Sequence, residues 1–157
     1  MISPELLRRY PFFGMMDYDQ IKEIAMISDE ISIDKDKELF VKSKPADYLY
    51  ILIDGAIDLF DTAVSDHDPS LYKEYAVSEN GPGDVLSMSA LIEPYKLSLT
   101  ARAAKPSHLV RIDAQHLRKL AKQDPQFGYV LMYQATTLAM KRLDTTRILL
   151  AAKMAID

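Results

Sequence analysis

Cysteine is absent from the 157-residue chain, which excludes disulfides, thiolate metal sites and thiol redox chemistry. Long apolar segments are absent too, because no stretch approaches the roughly 20 apolar residues of a membrane span. The first residues also lack the apolar run of a signal peptide. We therefore expect a cytoplasmic protein that makes no membrane contact.

The sequence also lacks the motifs of common catalytic sites. It contains no Gly-x-Ser-x-Gly, no Walker-type lysine loop and no His-Glu-x-x-His. The three histidines, His67, His108 and His116, are scattered, and only His67 stands directly between acidic residues. Neighbours in sequence do not make a coordination sphere, so a solvated loop is favoured over a metal site by about ten to one. We predict a protein that is not an enzyme and requires no metal or cofactor.

The composition is that of one ordinary globular domain. Hydrophobic residues make up 48% and charged residues 27% of the chain, which suits a packed core under a charged surface. The net charge of −4 argues weakly against nucleic acid as a direct partner. Basic residues cluster at 118–122 and 141–142, where solvated helix faces are favoured over nucleic-acid contacts by about four to one.

Hydrophobic periodicity divides the chain into three parts. Helical periods follow N-cap signals at Ser3, Asp17 and Asp113, near the two ends of the chain. Period-two segments fill the middle and predict a β-roll, or jelly roll, of about eight strands, so the fold class is α+β. The whole chain, 1–157, is predicted to be one domain, with N-terminal helices in 1–28, the β-roll in 29–112 and C-terminal helices in 113–157.

Two connections are predicted inside the β-roll. Gly55-Ala56 is interpreted as a tight turn between strands at 48–53 and 57–60, because glycine permits a backbone geometry that a β-carbon would strain. The polar residues 63–69 are interpreted as the tip of a hairpin whose second strand is 70–77. Together these signals predict an antiparallel arrangement.

Residues 81–103 have a different sequence pattern. They begin with Gly-Pro-Gly-Asp, continue through a short apolar step and a few helix formers, and are interrupted by Pro94. Residues 96–103 then alternate like a strand, with Leu97 on one face and Ser98 on the other. A short helix start between two strands presents free N–H groups, an arrangement that favours a phosphate or another anion.

This segment closely resembles the phosphate-binding cassette of the cyclic nucleotide-binding domain family, and we call residues 81–103 the cassette. Residues 47–59 resemble the most recognisable hairpin of the same family, and the resemblance covers roughly residues 6–152. It implies a β-roll sensor domain with a cyclic nucleotide as its ligand. The matching cassette positions are Gly81, Pro82, Gly83, Asp84, Ala90, Leu91, Ser98 and Thr100.

Two functional positions depart from the family pattern. The family's Gly-Glu is Ser87-Met88 here, and the family's arginine is Leu97. In the family the glutamate binds the ribose hydroxyl and the arginine neutralises the cyclic phosphate. Lys96 lies beside the missing arginine, but a lysine is a point charge and a poorer clamp than a bidentate guanidinium. We therefore predict weak or no binding of cyclic AMP.

The predicted ligand site combines cassette residues with one residue of the final helix, Thr146, which stands where the family contacts the base. The ligand is a cyclic nucleotide or another small anion. Two further glycines of the family pattern, upstream of the cassette, are missing near Asp36 and at Ser43, and we expect altered turns there. The predicted site residues are Ser87, Met88, Ser89, Ala90, Lys96, Leu97, Ser98, Thr100 and Thr146.

The final helix is predicted to run from Gln126 to Lys153, and its apolar stripe is too wide to be left in water. In the resembling family this helix forms the seam of a dimer and also covers the nucleotide. We predict a parallel homodimer through this helix, with Leu131, Leu138 and Leu143 in the seam.

Two functions stay open. The first is a regulatory sensor domain in signal transduction that binds a small ligand. The second is a ligand-free scaffold that dimerises and contacts a protein partner, or the sensor half of a transcription regulator. Transcription factors of the family carry a helix-turn-helix domain after the final helix. This chain ends at Asp157, so we expect it to make no direct contact with nucleic acid.

Overall fold

The structure is a computed structural model that describes residues 1–156, and it confirms the predicted α+β class, with a β-roll between helices. Two single 3₁₀ turns, at Pro11–Phe13 and Met88–Leu91, accompany the helices and strands. The helices and strands in chain order are α1 (Pro4–Arg8), α2 (Tyr18–Met26), β1 (Ser28–Ile33), β2 (Glu38–Phe40), β3 (Tyr48–Val64), β4 (Tyr72–Asn80), β5 (Val85–Leu86), β6 (Thr100–Asp113), α3 (Ala114–Gln123) and α4 (Pro125–Ile156).

The helices begin where the capping residues predict. Asp17 and Gln20 form a reciprocal capping box at the start of α2, with the Asp17 carboxylate accepting the Gln20 amide at 2.8 Å. Asp113 accepts the His116 amide at the start of α3, and Asp124 accepts the Phe127 amide at the start of α4. Each cap satisfies backbone N–H groups that would otherwise have no partner in the first helical turn.

The strands form one antiparallel sheet in the order β1-β6-β3-β4, with β2 paired to β6 and β5 paired to β3. The described residues form six strands where about eight were predicted, because β3 and β6 are long and each joins two predicted strands. The predicted tight turn at Gly55-Ala56 is wrong, since β3 continues through it with shifts of register. Gly55 has a φ of 106°, and a β-carbon there would lie 2.1 Å from the Ser107 hydroxyl oxygen.

Alternation along β3 distributes its side chains between two buried clusters. Leu49 and Ile51 face a large core that the N-terminal helices and α4 complete. Tyr50 and Leu52 face a second cluster within the roll, together with Leu86 and other apolar residues. Successive residues of a strand point to opposite faces, so one strand builds both cores.

The turns at Asp36 and Ser43 have left-handed backbones. Both residues have positive φ values, 68° and 73°, a conformation that favours glycine and that here carries a side chain. That these turns differ from those of the family stays a prediction. The Ser43 amide donates to the Leu97 carbonyl at 2.8 Å, and the Asp36 amide donates to the Ala103 carbonyl at the same distance. These hydrogen bonds hold the strained turns against the cassette.

No helix within residues 1–156 combines the length and the apolar character that crossing a membrane requires.

Candidate functional site

The start of the cassette is fastened to β3 through its backbone. The Gly83 amide donates to the Leu52 carbonyl at 2.7 Å, and the Leu52 amide donates to the Asp84 carbonyl at 3.0 Å. The Asp84 carboxylate accepts the Gly81 amide at 2.9 Å and closes the turn. The Gly-Pro-Gly-Asp sequence thus sets the position from which the rest of the cassette continues.

Ser87 stands where the resemblance places a glycine. Its φ of 67° is left-handed, and it precedes the 3₁₀ turn. Its hydroxyl is buried and has no hydrogen-bond partner among the described residues. A buried hydroxyl without a partner is unfavourable, so this atom marks a polar position that the folded chain leaves unsatisfied.

The second half of the cassette differs from the prediction in secondary structure. Residues 96–99 are not part of a strand, because β6 begins only at Thr100. Lys96 instead forms an isolated bridge with Pro45, and the Leu97 amide donates to the Lys44 carbonyl at 2.9 Å. The chain before β6 is therefore held by the segment that follows β2.

Leu97, which the resemblance places at the family's arginine position, is buried. Its side chain is only 6% exposed and belongs to a small apolar cluster with Ala46, Ala90 and Ala114, against which Phe40 packs. An alkyl group in this cluster offers neither charge nor hydrogen bonds to a phosphate.

A cavity of about 200 Å³ lies beside Leu97. Most of its wall is apolar or aromatic, and of the predicted site residues only Ser87 and Leu97 contribute to it. The cavity is lined by Leu39, Phe40, Val41, Lys44, Pro45, Asp47, Tyr48, Tyr50, Ser87 and Leu97.

The aromatic residues of this wall were missed by sequence reasoning. Phe40 and Tyr50 are stacked with ring centroids 5.8 Å apart, and Tyr48 lies 6.0 Å from Tyr50. The Arg111 guanidinium lies over Tyr48 at 4.8 Å. Burial raises the pKa of Tyr50 to about 12, above the ordinary value of a phenol. Alternation places Tyr48 and Tyr50 on one face of β3, and that signal could have identified them.

The other predicted site residues are not brought to the cavity. Met88 packs against the large core, and the Thr100 hydroxyl accepts the Lys42 amide at 3.0 Å. Ser98 and Lys96 are exposed. Thr146 is exposed on α4 and donates its hydroxyl to the Arg142 carbonyl at 2.8 Å. Ser89 and Ala90 belong to the 3₁₀ turn, outside the cavity lining.

Two arginines, which the sequence pattern assigns to solvated helix faces, instead contact the cassette. Arg118 of α3 donates to the Ala90 carbonyl at 2.7 Å, and its guanidinium lies 3.9 Å from the centroid of the Tyr95 ring. Arg142 of α4 donates to the Val85 carbonyl. Burial lowers the pKa of Arg142, although the nearby Asp84 carboxylate acts in the opposite direction.

A larger hollow of about 420 Å³ contains no cassette residue. Its wall combines residues of α2 with residues near the junction of α3 and α4, and four carboxylates line it. It is lined by Asp17, Asp19, Gln20, Glu23, Leu120, Gln123, Asp124 and Phe127.

The three predicted seam residues lie in different environments on α4. Leu131 is 2% exposed and belongs to the large core of this chain, and Leu138 packs against the same core. Leu143 is 42% exposed.

A stripe of exposed apolar and aromatic residues lies opposite the buried face of α4. Its residues are spaced alternately by four and three positions when Thr136 and Arg147 are counted as members. The stripe consists of Tyr129, Tyr133, Met140, Leu143, Leu150 and Met154.

The cyclic nucleotide-binding domain family matches residues 30–124. Among solved structures, a Geobacter metallireducens protein whose name assigns it to cyclic nucleotide binding is 35% identical, with a TM-score of 0.79, and the alignment covers 91% of this chain and 99% of that one. A search of the curated proteins finds no match.

Two more distant structures share the fold. One is the N-terminal domain of a transcriptional regulator from Streptomyces coelicolor, with 22% identity, a TM-score of 0.66 and coverage of 89% of this chain and 94% of that one. The other is the sensor domain of the transcriptional regulator DNR from Pseudomonas aeruginosa, with 20% identity, a TM-score of 0.68 and coverage of 89% and 90%.

Proposed function

This chain belongs to the cyclic nucleotide-binding domain family, and we propose that it is a regulatory sensor domain that binds cyclic AMP and cyclic GMP weakly or not at all. The observation that carries the proposal is the burial of Leu97, an alkyl side chain, at the family's phosphate-binding position. The role is regulatory and not catalytic. A cytoplasmic location suits a cysteine-free chain, which needs no oxidising compartment.

The ribose side of the site supports the same proposal. Met88 stands at the family's glutamate position and packs against the large core, so it supplies no acceptor for a ribose hydroxyl. Lys96 is exposed and held by its bridge to Pro45, and its own side chain is not part of the cavity lining. Charged hydrogen-bond contacts are worth a few kcal/mol each when truncated, so losing two weakens a micromolar site to about millimolar.

Calorimetric titration of the purified chain with cyclic AMP and cyclic GMP tests this proposal. We expect dissociation constants weaker than about 100 μM for both nucleotides. Saturation at low micromolar nucleotide would overturn it. Mass spectrometry of the freshly purified chain adds an independent readout, because a co-purified cyclic nucleotide would contradict weak binding.

The domain is further proposed to act as a homodimer through α4. The exposed stripe of α4 has the alternating spacing of the two core positions of a coiled coil, and its apolar side chains gain by pairing with a second copy. The buried face of the same helix packs on this chain's own core, so the two faces serve different contacts. In this arrangement Leu131 stabilises the protomer and Leu143 belongs to the seam.

Light scattering tests the dimer. Leu143→Glu should convert a dimer into a monomer at tens of micromolar protein, because it would place two carboxylates at an apolar seam. Thr145→Glu is the matched control, since Thr145 is exposed on α4 outside the stripe. A wild-type monomer at high micromolar concentration would contradict the proposed seam.

A ligand-free scaffold that dimerises and contacts a protein partner is the second candidate, and the apolar stripe of α4 favours it. Such a scaffold could equally be the sensor half of a transcription regulator. A dimer that binds no small ligand in the cavity would favour this scaffold over the sensor.

A further inference from the structure

The cavity beside Leu97 is small for the ligand class that the family name suggests, and most of its lining residues are apolar or aromatic. Its volume is about 200 Å³, whereas sites for drug-sized ligands usually enclose about 300 to 1,000 Å³. An apolar cavity of about 150 Å³ is enough to hold benzene. The volume therefore matches one aromatic ring with a small substituent.

The chemistry of the wall selects against a charged ligand. Phe40, Tyr48 and Tyr50 supply aromatic faces, and Leu97 adds an alkyl surface where a cation would be needed. The two charged residues of the lining, Lys44 and Asp47, are exposed and of opposite sign. Solvent screens the exposed Lys44 ammonium, and the Asp47 carboxylate of the same wall repels an anion. Burying an anion beside Leu97 without a charged partner would be strongly unfavourable.

Neutral hydroxyls on Ser87 and on the two tyrosines of the lining add to the polar part of the site. The Ser87 hydroxyl is buried and has no partner among the described residues. Rotation about its single χ1 angle can present the hydroxyl to the cavity that Ser87 lines. The Tyr50 side chain lines the same cavity, and the structure records no hydrogen bond from its hydroxyl within residues 1–156. Either group can donate to or accept from a ligand hydroxyl.

We propose that this cavity binds an uncharged, single-ring aromatic molecule that carries a hydroxyl group, with the ring against Phe40 and Tyr50 and the hydroxyl bonded to Ser87. This inference rests on the proposed sensor function and names the ligand class of the same site. The ligand satisfies the one buried hydroxyl that the folded cassette leaves unpartnered. Phenol is the simplest probe with this chemistry.

The test is a titration of the purified chain with four compounds, namely phenol, toluene, benzoate and cyclic AMP, followed by ligand-observed NMR or calorimetry. Phenol should bind with a dissociation constant below about 1 mM, which is reasonable for seven non-hydrogen atoms. Benzoate keeps the ring and adds a negative charge, and it should bind at least about tenfold more weakly.

A pair of variants locates the hydroxyl contact. Ser87→Gly should weaken the binding of phenol about fivefold. It should change the affinity for toluene less than twofold, because toluene has no hydroxyl group that could bond to Ser87. The variant keeps the left-handed backbone that Ser87 already adopts, so the chain should fold. Ser98→Ala removes an exposed cassette hydroxyl outside the cavity and should leave both affinities unchanged.

The outcomes separate this inference from the proposed function. If phenol shows no binding at several millimolar while cyclic AMP binds more weakly than about 100 μM, the inference fails and the proposed weak binding of cyclic nucleotides stands. Benzoate that binds as tightly as phenol, or a Ser87→Gly variant with unchanged phenol affinity, would also overturn the inference. Tight binding of cyclic AMP would overturn the proposed function and this inference together.

Discussion

The two sides of the cassette differ in how they use charge. On the side of the cavity, Leu97 is buried, Ser87 has an unpartnered hydroxyl, and the one cation of the lining, Lys44, is exposed. On the side of the helices, Arg118 donates to the Ala90 carbonyl and Arg142 donates to the Val85 carbonyl. The positive charge on the helix side thus holds the cassette in place.

This difference explains how the cassette can keep its shape without a nucleotide. Both arginines bind carbonyl groups of the cassette from helices that follow β6, so the protein supplies bonds that need no ligand. A hydrogen bond from a charged donor contributes about 1.5 to 3 kcal/mol, which is similar to the free energy that a charged group at position 88 or 97 would contribute to nucleotide binding. Preformed geometry and weak nucleotide binding are therefore compatible.

The largest effect is expected from removing an arginine contact between the helices and the cassette. Arg118→Ala should destabilise the fold by about 2 kcal/mol, because the Ala90 carbonyl loses its charged donor and the Tyr95 ring loses its stacked guanidinium. Arg118→Lys should cost about half as much, since lysine keeps the charge but not the planar contact. Urea unfolding at one fixed protein concentration measures both variants, since a dimer's stability depends on concentration.

Lys119→Ala is the matched control for Arg118→Ala. Lys119 is the next residue of α3 and is exposed, so its removal should change the free energy of unfolding by less than about 0.5 kcal/mol. Equal losses from Arg118→Ala and Lys119→Ala would show that the bond to the cassette contributes nothing measurable.

Local signals in the sequence are sufficient for the overall architecture. The caps at Asp17 and Asp113 start α2 and α3 as predicted, because a carboxylate that accepts an amide two or three residues later is a local contact. Alternation in β3 predicts a strand with two different faces. The start of the cassette also follows its local turn sequence, as the bond between Gly81 and Asp84 shows.

Contacts between distant parts of the chain could not be predicted in the same way. Arg118 and Arg142 have the sequence setting of solvated helix residues, and only the packing of α3 and α4 brings them to carbonyls 28 and 57 residues earlier. Gly55 has the local sequence of a turn residue, but its role is to let β3 pass close to Ser107. The aromatic wall of the cavity likewise depends on β2 and β3 meeting the cassette.

The second-largest effect is expected from introducing charged side chains at positions 88 and 97 of the cassette. The double variant Met88→Glu, Leu97→Arg should bind cyclic AMP at least about tenfold more tightly than the wild type, because the arginine can give two parallel bonds to the phosphate. It should also lose phenol binding, since the guanidinium would occupy the apolar wall. Thr146→Ala should weaken the binding of cyclic AMP only when it is added to the double variant. Calorimetry measures all of these affinities.

Leu97→Met with Met88→Leu is the matched control for the double variant. It changes both positions without adding charge, so cyclic AMP should bind as weakly as it does to the wild type. A double variant that folds but gains no affinity would indicate that the cassette has closed around Leu97, and would favour the ligand-free scaffold.

The smallest effect concerns backbone strain at Ser87. A side chain in the left-handed conformation costs about 1 to 2 kcal/mol, and Ser87 has a φ of 67° with a buried, unpartnered hydroxyl. Ser87→Gly removes both penalties. It also increases the conformational entropy of the unfolded chain, which lowers the stability of the fold by about 0.4 to 1 kcal/mol. The net result should be a stabilisation of about 1 kcal/mol, or a rise in Tm of about 2 to 4 °C. Ser98→Gly, at a position without a positive φ, should lower Tm instead, and a lower Tm for Ser87→Gly would show that the hydroxyl has a stabilising partner.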